Sequence, residues 1–314
     1  MEKQGVEMIE NKMLEETKNA KFKPNIVLQI LIFFLAFGCS YLIQVFAIFA
    51  ILLKLGLMYL QSDVLNNVMQ GEEYLIFGLL LSVTYIAVAF VYCLCIEKRS
   101  LTSMGISKKR VISSYSIGIA IGAIMILAVI GIGYLFGVYQ YVGIGTISIT
   151  TLLLFVFAFM IQTMSEEILF RGYFMNSLTN RVGKWGAIFI SAFIFACLHL
   201  PNAGMNIFYF ISILLLGVFL GMYVLKTGNI WGASGIHFAW NFIQTTILGI
   251  SNTTISIKSS FFQLQVVQSE NTVINQLFGV EGGFDCLFVI LIAVLILDVI
   301  IRKKNKKMKQ VEKN

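Results

Sequence analysis

The sequence predicts an all-α, polytopic membrane protein with about eight transmembrane helices. Hydrophobic residues make up 58% of the 314 residues and charged residues only 12%, whereas a soluble domain carries about 25% charged residues. The apolar residues form continuous runs close to the ~20 residues that a helix needs to cross the hydrocarbon. Such runs are too long and too uniform for amphipathic surface helices or buried strands. The main solvent of this chain is therefore lipid.

The apolar runs follow one another along the whole chain. They lie at about 25–53, 74–96, 111–138, 147–175, 185–200, 206–225, 229–250 and 284–301. Of the 23 Lys and Arg residues, five precede the first run, five follow the second, two follow the fourth, one follows the sixth and seven follow the eighth. These 20 residues fall on one side if every run crosses once. Because cytoplasmic loops are enriched in Lys and Arg, the pattern predicts eight crossings of the cell membrane with both termini cytoplasmic.

The same flanks carry the net charge of +7. Basic residues beside apolar runs are typical of contact with anionic lipid headgroups, so membrane lipids are expected partners and nucleic acid is not. The five cysteines are odd in number and lack the spacing of a disulfide framework or a metal knuckle. Two small-xxx-small pairs, Gly118 with Gly122 and Gly217 with Gly221, predict close contacts between helices.

The predicted domains are a cytoplasmic N-terminal segment at 1–24, an eight-helix transmembrane domain at 25–302 and a basic cytoplasmic tail at 303–314. The first segment mixes Glu and Lys, unlike a cleaved signal peptide. It is expected to form a short helix whose apolar side consists of Met8, Ile9, Met13 and Leu14. The polar segment 251–283 is predicted to be external and irregular or partly interfacial.

Three ionisable residues lie inside the fourth run, namely Glu166, Glu167 and Arg171. An ionisable side chain in a span costs at least ~2.5 kcal/mol on insertion scales and usually faces a polar cavity. Glu167 and Arg171 are four residues apart and can pair on one helix face, so this pair could lie behind a site and orient Glu166. Glu166 is turned away from both by the rotation of about 100° per residue. Glu166 therefore needs another partner.

The two histidines of the chain also lie in apolar runs. His199 ends the fifth run, and His237 lies in the seventh with Asn241 four residues later on the same face. A lone histidine on an apolar helix is more often a satisfied core residue than a catalyst. Here both histidines, an amide and an unpaired carboxylate share predicted spans, at depths of about 12–22 Å from the cationic boundary by helix rise. They can therefore meet in one layer as an intramembrane catalytic cavity.

These groups permit hydrolysis of an amide bond. A carboxylate removed from water is a stronger base than one in solution, so Glu166 with neutral His199 could hold and deprotonate a water. His237 and Asn241 could donate hydrogen bonds to the oxyanion that forms. Glu166, His199 and His237 are also a candidate zinc set. The residues alone leave both alternatives open, a metal-bound water and a metal-free one.

The order of these residues resembles the signature of the CAAX protease and bacteriocin-processing family of intramembrane proteases. The motifs are Glu166-Glu167-x-x-x-Arg171, Phe195-x-x-x-His199 and His237-x-x-x-Asn241. The resemblance covers about 145–250. It implies that Glu166 is the general base, that His199 binds the water and that His237 and Asn241 form the oxyanion site. It also implies a conical core with a cavity open to the cytoplasmic side, and it leaves metal dependence open because the family is also described as metalloproteases.

The implied substrate is a membrane-associated or lipidated peptide or protein. In a bacterial member it would be a peptide pheromone, leader or bacteriocin, which fits the family's association with bacteriocin immunity. Two other classes stay open. A non-catalytic immunity or regulatory protein would tolerate the loss of Glu166, and a proton-coupled transporter would need ionisable groups strung across the membrane. The sequence leaves open the cleavage site, the oligomeric state and the role of 251–283.

Overall fold

A computed structural model of the chain describes residues 12–54, 56, 68–69, 71–200, 206–250, 257–267 and 280–311. The helices are α1 (Lys12–Lys18), α2 (Ile26–Lys54), α3 (Glu72–Ile96), α4 (Val111–Leu135), α5 (Ile149–Glu167), α6 (Asn176–Leu198), α7 (Ile207–Thr227), α8 (Trp231–Phe242) and α9 (Phe284–Val311). The strands are β1 (Tyr139–Ile144) and β2 (Phe262–Val266). Wider π-helical turns join α5 to α6 over Ile168–Met175 and extend α8 over Ile243–Ile247.

Most helices are long and apolar because the sequence has few charges to interrupt them. Within the described ranges, six helices could cross a membrane by length and composition. The protein is therefore a multi-pass membrane protein, and the predicted all-α class is confirmed. The number of eight crossings stays a prediction, because 184–198 and 231–247 are shorter than the ~20 residues of a typical span.

The helical stretch from Ile149 to Leu198 is interrupted at Gly183, where the chain reverses direction within α6. Gly183 has a φ of 70° and a ψ of 174°, outside the helical region. The Oγ of Ser191 donates to the carbonyl of Phe170 at 3.1 Å, and the rings of Phe170 and Phe195 lie 4.9 Å apart. Residues 184–198 therefore fold back along 168–182, as expected for separate fourth and fifth runs.

The cationic helix ends meet at one end of the bundle. This basic end consists of residues 12–26, 96–111, 177–184, 226–231 and 302–311. Its parts are hydrogen-bonded: Asn180 Nδ2 donates to the carbonyl of Thr17 at 3.1 Å, and Thr17 Oγ1 donates to the carbonyl of Ser103 at 3.2 Å. Trp231 Nε1 donates to the carbonyl of Ser107 at 2.7 Å. The cationic segments that alternate with the other loops along the sequence thus lie together at one end of the folded bundle.

The N-terminal helix α1 packs onto the other segments of this basic end. Met13 and Leu14 are buried in α1, as predicted, whereas Met8 and Ile9 lie outside the described residues. The last helix continues to Val311, ten residues past the predicted end of the eighth run at 301.

The opposite end of the bundle carries a two-stranded ribbon that the sequence did not predict. Strands β1 and β2 pair antiparallel with Tyr139 opposite Val266, so the expectation of an irregular 251–283 segment is wrong for 262–266. Two polar links hold the helix ends here: the backbone N–H of Phe261 donates to the carbonyl of Thr246 at 3.1 Å, and Asn206 Nδ2 donates to the carbonyl of Gly282 at 3.1 Å. The strands escaped notice because they are short and lie outside the apolar runs.

Glycines bring α4 and α8 into backbone contact. A Cβ on Gly118 would lie 2.1 Å from the carbonyl oxygen of Gly232, and one on Gly122 would lie 2.3 Å from that of Ile236. The predicted close contact at the first glycine pair is therefore confirmed. The second pair also faces neighbours, since a Cβ on Gly217 would lie 2.9 Å from that of Ala192. Contact between α4 and α8 fixes the helix that carries His237.

We expect Gly122→Ala to destabilise the protein, because its methyl group would push α4 away from α8. Overpacking of this kind costs about 1–3 kcal/mol, measurable as a lower midpoint of thermal unfolding in detergent. The matched control is Gly131→Ala in the same helix, where a Cβ would meet nothing within 4 Å. Equal midpoints for the two variants would contradict the backbone contact.

Candidate active site

A cavity of about 260 Å³ lies inside the bundle. Its walls come from α2, α3, α5, α6, α7 and α8 and are mostly aromatic and aliphatic. The polar residues that line it are Tyr85, Gln162, Glu166, His199, His237, Asn241, Thr245 and Glu281. The residues predicted from three separate runs as the catalytic set thus border one space.

Glu166 faces His237 across this cavity. The Oε2 atom of Glu166 lies 3.8 Å from Nε2 of His237, and the Glu166 side chain is 17% exposed. Among the described residues Oε2 has no hydrogen-bond partner, while Oε1 accepts a hydrogen bond from Nε2 of Gln162. One carboxylate oxygen is therefore held in place, and the other is buried near His237 without a hydrogen bond to the described residues.

Gln162 is a site residue that the sequence reasoning missed. Because a carboxylate accepts, the amino group of Gln162 faces Glu166 and its Oε1 faces Asn241. The Nδ2 of Asn241 then donates to that Oε1 at 3.2 Å. The signal was present in the sequence: Gln162 is a polar residue inside a span, one helical turn before Glu166 and on its face.

The predicted ion pair between Glu167 and Arg171 is confirmed. Arg171 Nη1 donates to Oε1 of Glu167 at 2.9 Å, with both side chains buried. The same Oε1 lies 3.1 Å from Nδ1 of His237, and the guanidinium carbon of Arg171 lies 4.6 Å from the ring centroid of Phe195. The pair was predicted as a support of the site, and its direct contact is with His237. A carboxylate acceptor puts the proton of His237 on Nδ1.

His199 is held by its own helix. It follows the last residue of α6, and its Nδ1 lies 2.7 Å from the carbonyl oxygen of Phe195. Since a carbonyl only accepts, Nδ1 carries the proton and Nε2 of the neutral ring is an acceptor. The rings of Phe195 and His199 lie 4.3 Å apart. His199 and Glu166 line the same cavity without a direct hydrogen bond between them.

Two stretches of π-helix begin next to the site. One starts at Ile168, directly after Glu167, and the other at Ile243, two residues after Asn241. Such wider turns are rare in proteins as a whole, but those that occur often lie at functional sites. The period of the apolar residues gives no sign of them, which is why sequence reasoning placed ordinary α-helix here.

The candidate zinc set does not fit a metal ion as the residues are arranged. Within the part of the chain that the structure describes, no group of three His, Cys, Asp or Glu side chains could hold one. We therefore derive no catalytic step through a metal.

The cavity is closed toward the basic end and reaches the opposite end. Phe170 lines it and is 3% exposed, and the residues that follow, 171–178, are all buried. On the other side the lining includes Leu75 in the first turn of α3, Leu198 at the end of α6 and Glu281 just before α9. Glu166 itself lies midway between Ile149 and Gly183 in the sequence. The cavity thus extends from the middle of the bundle to the end away from the cationic residues.

The core of the chain has a recognisable family pattern. Residues 148–243 match the family described as type II CAAX prenyl endopeptidase, Rce1-like. The matched segment runs from the start of α5 to the end of α8 and contains all three motifs, within the predicted 145–250 core. No match is found among the curated proteins or among the solved structures.

We expect Arg171→Met to destabilise the protein strongly, because it leaves the Glu167 carboxylate buried without its cation. Breaking a buried ion pair costs about 3–5 kcal/mol, which unfolding in a denaturing detergent would detect. The matched control is Arg302→Met, which removes an i,i+4 pair with Asp298 whose arginine is 58% exposed and should change stability by less than ~1 kcal/mol. Similar losses in both variants would argue against a buried pair at the site.

Proposed function

We propose that the protein is an intramembrane endopeptidase whose catalytic water is activated by Glu166 and His199, and the match of residues 148–243 to the type II CAAX prenyl endopeptidase family supports this. Its substrates are membrane-associated or lipidated peptides or proteins. The observation that carries the proposal is one cavity lined by Glu166, His199, His237 and Asn241. The unpartnered Oε2 of Glu166 supports a base that is ready to accept a proton. Both termini lie in the cytoplasm, where the cationic flanks favour them.

In the proposed reaction, Glu166 takes one proton from a water while the water oxygen attacks the carbonyl carbon of the scissile bond. His199 orients that water by accepting its other hydrogen at Nε2. The resulting tetrahedral intermediate collapses, the C–N bond breaks and Glu166 returns the proton to the leaving nitrogen. The products are a carboxylic acid and an amine. General acid–base catalysis by a positioned side chain contributes about 10²–10⁴-fold to the rate.

His237 and Asn241 stabilise the oxyanion of that intermediate. The Nδ2 amino group of Asn241 has two hydrogens, so one bonds Gln162 and the second is available to the oxyanion. The N–H group at Nδ1 of His237 donates its hydrogen bond to Glu167. Nε2 therefore has a hydrogen to donate only while the ring is an imidazolium. Arg171 fixes the Glu167 carboxylate, and through it the orientation of the His237 ring. A single donor of this kind typically contributes about 10²–10³-fold in kcat.

The two other classes of function lack a specific observation in their favour. A regulatory or immunity protein does not need Glu166, His199, His237 and Asn241 around one cavity. A transporter needs a path between the two membrane faces, whereas residues 170–178 close this cavity on its basic side. Hydrolysis uses both features, because a closed site excludes bulk water and strengthens electrostatic interactions.

We expect Glu166→Gln to lower cleavage at least 100-fold, because the amide keeps the size of the side chain and cannot take a proton from water. The assay is mass spectrometry of lipidated or hydrophobic peptides incubated with purified protein in detergent. The matched control is Glu73→Gln, an exposed glutamate at the start of α3, which should keep full activity.

Each alternative gives a different result in the same assay. Equal product from wild type and Glu166→Gln would overturn the proposed mechanism. Loss of wild-type activity with a chelator and recovery with zinc would replace the metal-free water by a metal-bound one. Peptide or proton flux in liposomes without product would indicate a transporter, and peptide binding without product a regulatory or immunity protein.

A further inference from the structure

A groove on the outer surface of the bundle lies between α4, α7 and α9. It has a volume of about 360 Å³, and the residues that line it are different from those that line the cavity with Glu166. Its walls are apolar apart from Tyr223 and Lys226 of α7. Ile124 and Ile296 line it and are 69% and 56% exposed. Because all three helices are long and apolar enough to cross a membrane, this surface faces lipid.

The groove runs from the basic end into the depth of one leaflet. Its lining extends along α7 from Phe219 to Lys226 and along α9 from Ala293 to Ile300. Each stretch rises by about 10 Å along its helix. Since the hydrocarbon core is ~30 Å thick, the groove remains within the half of the bilayer next to the basic end. This length suits the acyl chain of a lipid in that leaflet, whereas a transmembrane helix of a partner would follow a surface of ~20 residues.

Two lysines stand at the shallow end of the groove. Lys226 lines it near the end of α7, and Lys304 is exposed four residues after Ile300, on the same face of α9. The charge of Lys304 acts on Lys226, so the two ammonium groups repel each other. Within the described part of the chain neither lysine forms an ion pair, and the acidic residue of this part of α9, Asp298, is paired with Arg302 at 2.6 Å.

An anion between these two lysines would remove their repulsion. The phosphate of a lipid lies at the boundary between hydrocarbon and water, and lysine side chains extend along apolar surface to place their ammonium groups at that boundary. Lysine is a common phosphate ligand, and basic pockets between transmembrane helices bind anionic lipid headgroups. The groove thus provides for both parts of a phospholipid, a cationic site for the head and an apolar channel for a chain.

We propose that this groove binds one anionic glycerophospholipid, with its phosphate between Lys226 and Lys304 and an acyl chain against α4, α7 and α9. The site is separate from the candidate active site, and its occupation does not depend on the peptidase function proposed above.

The bound lipid connects the helices on either side of α8. On one side α8 meets α4 at Gly118, and on the other Gly232 lies against the ring of Tyr223 in α7, where a Cβ would be 2.4 Å from Cε1. A lipid that holds α4 and α7 together therefore stabilises the surroundings of the helix that carries His237. Because it binds the folded state, it should raise the midpoint of thermal unfolding.

Native mass spectrometry in detergent tests the headgroup. The probes are phosphatidylglycerol and phosphatidylcholine with the same acyl chains, together with glycerol phosphate as a headgroup without chains. We expect phosphatidylglycerol to bind at least about tenfold more tightly than phosphatidylcholine, because only the former has a net negative charge for the two lysines. Glycerol phosphate should not bind at the same concentration. Equal affinity for the two lipids, or equal binding of glycerol phosphate, would overturn the proposed site.

Charge-neutral variants test the two lysines. Lys226→Gln and Lys304→Gln should each weaken binding of phosphatidylglycerol about fivefold, the contribution of one lysine next to an anionic lipid. The matched control is Lys21→Gln, which removes a charge from an exposed residue of the same basic end that does not line the groove and should leave the affinity unchanged. Equal losses in the three variants would mean a general attraction by charge and would contradict a defined site.

A larger side chain in the groove tests the acyl chain. Ala293→Phe should weaken binding of phosphatidylglycerol at least about tenfold by filling the channel, while Leu295→Phe, at an exposed position of the same helix outside the lining, should not. The unfolding midpoint in phosphatidylcholine verifies that both variants are folded. Binding by Ala293→Phe as tight as by wild type would overturn the proposal. Conversion of a dimer into a monomer by Ala293→Phe, without lipid preference in wild type, would instead identify the groove as a contact between two copies of the chain.

Discussion

The buried contact among Glu167, Arg171 and His237 is the interaction on which the site depends. It joins α5 to α8 across the centre of the bundle, where the hydrocarbon offers no water to either charge. The carboxylate of Glu167 meets the guanidinium at 2.9 Å and the imidazole at 3.1 Å through the same oxygen. Both helices are therefore fixed relative to each other in rotation and in depth. The hydrogen bonds from Gln162 to Glu166 and from Asn241 to Gln162 add a second link between the same two helices.

Backbone packing supports that contact from the other side of α8. At Gly118 and Gly122 the chain of α4 lies against the carbonyl groups of α8, and at Gly235 the chain of α8 lies against the carbonyl of Tyr115. In lipid the hydrophobic effect does not drive helices together, so close van der Waals contact has to do so. The helix with His237 is thus held between an ion pair on one face and glycine contacts on another. A polar site can be stable in lipid when its helices are fixed in this way.

The sequence predicted which polar residues border the cavity better than it predicted the contacts between them. Glu166, His199, His237 and Asn241 stood out because polar groups are costly in apolar runs, and that argument is independent of the fold. Gln162 was missed because an amide is less costly than a charge, although its spacing from Glu166 was visible. Spacing along one helix also predicted the Glu167–Arg171 pair, but it could not reveal that His237 joins them from another helix. Contacts between helices depend on rotation and depth, which hydropathy does not specify.

The remaining differences have local causes. The π-helical stretches at 168–175 and 243–247 have no counterpart in the period of the apolar residues. The β1–β2 ribbon pairs segments more than a hundred residues apart, which alternation in five or six residues is too weak to predict. Glu281 lies in a segment with no hydropathy signal, and the neighbouring Gly282 is hydrogen-bonded to Asn206 at the start of α7.

The reversal at Gly183 has a consequence for how the chain enters the membrane. Gly183 is a single non-helical residue between the two antiparallel helices. No long polar loop therefore connects them. The two halves are suited to partition into lipid together as a helical hairpin. Glu167 and Arg171 lie one turn apart on the first half, so they can neutralise each other before any other helix is present. The most costly charges of the candidate site would then enter the bilayer as a neutral pair during synthesis.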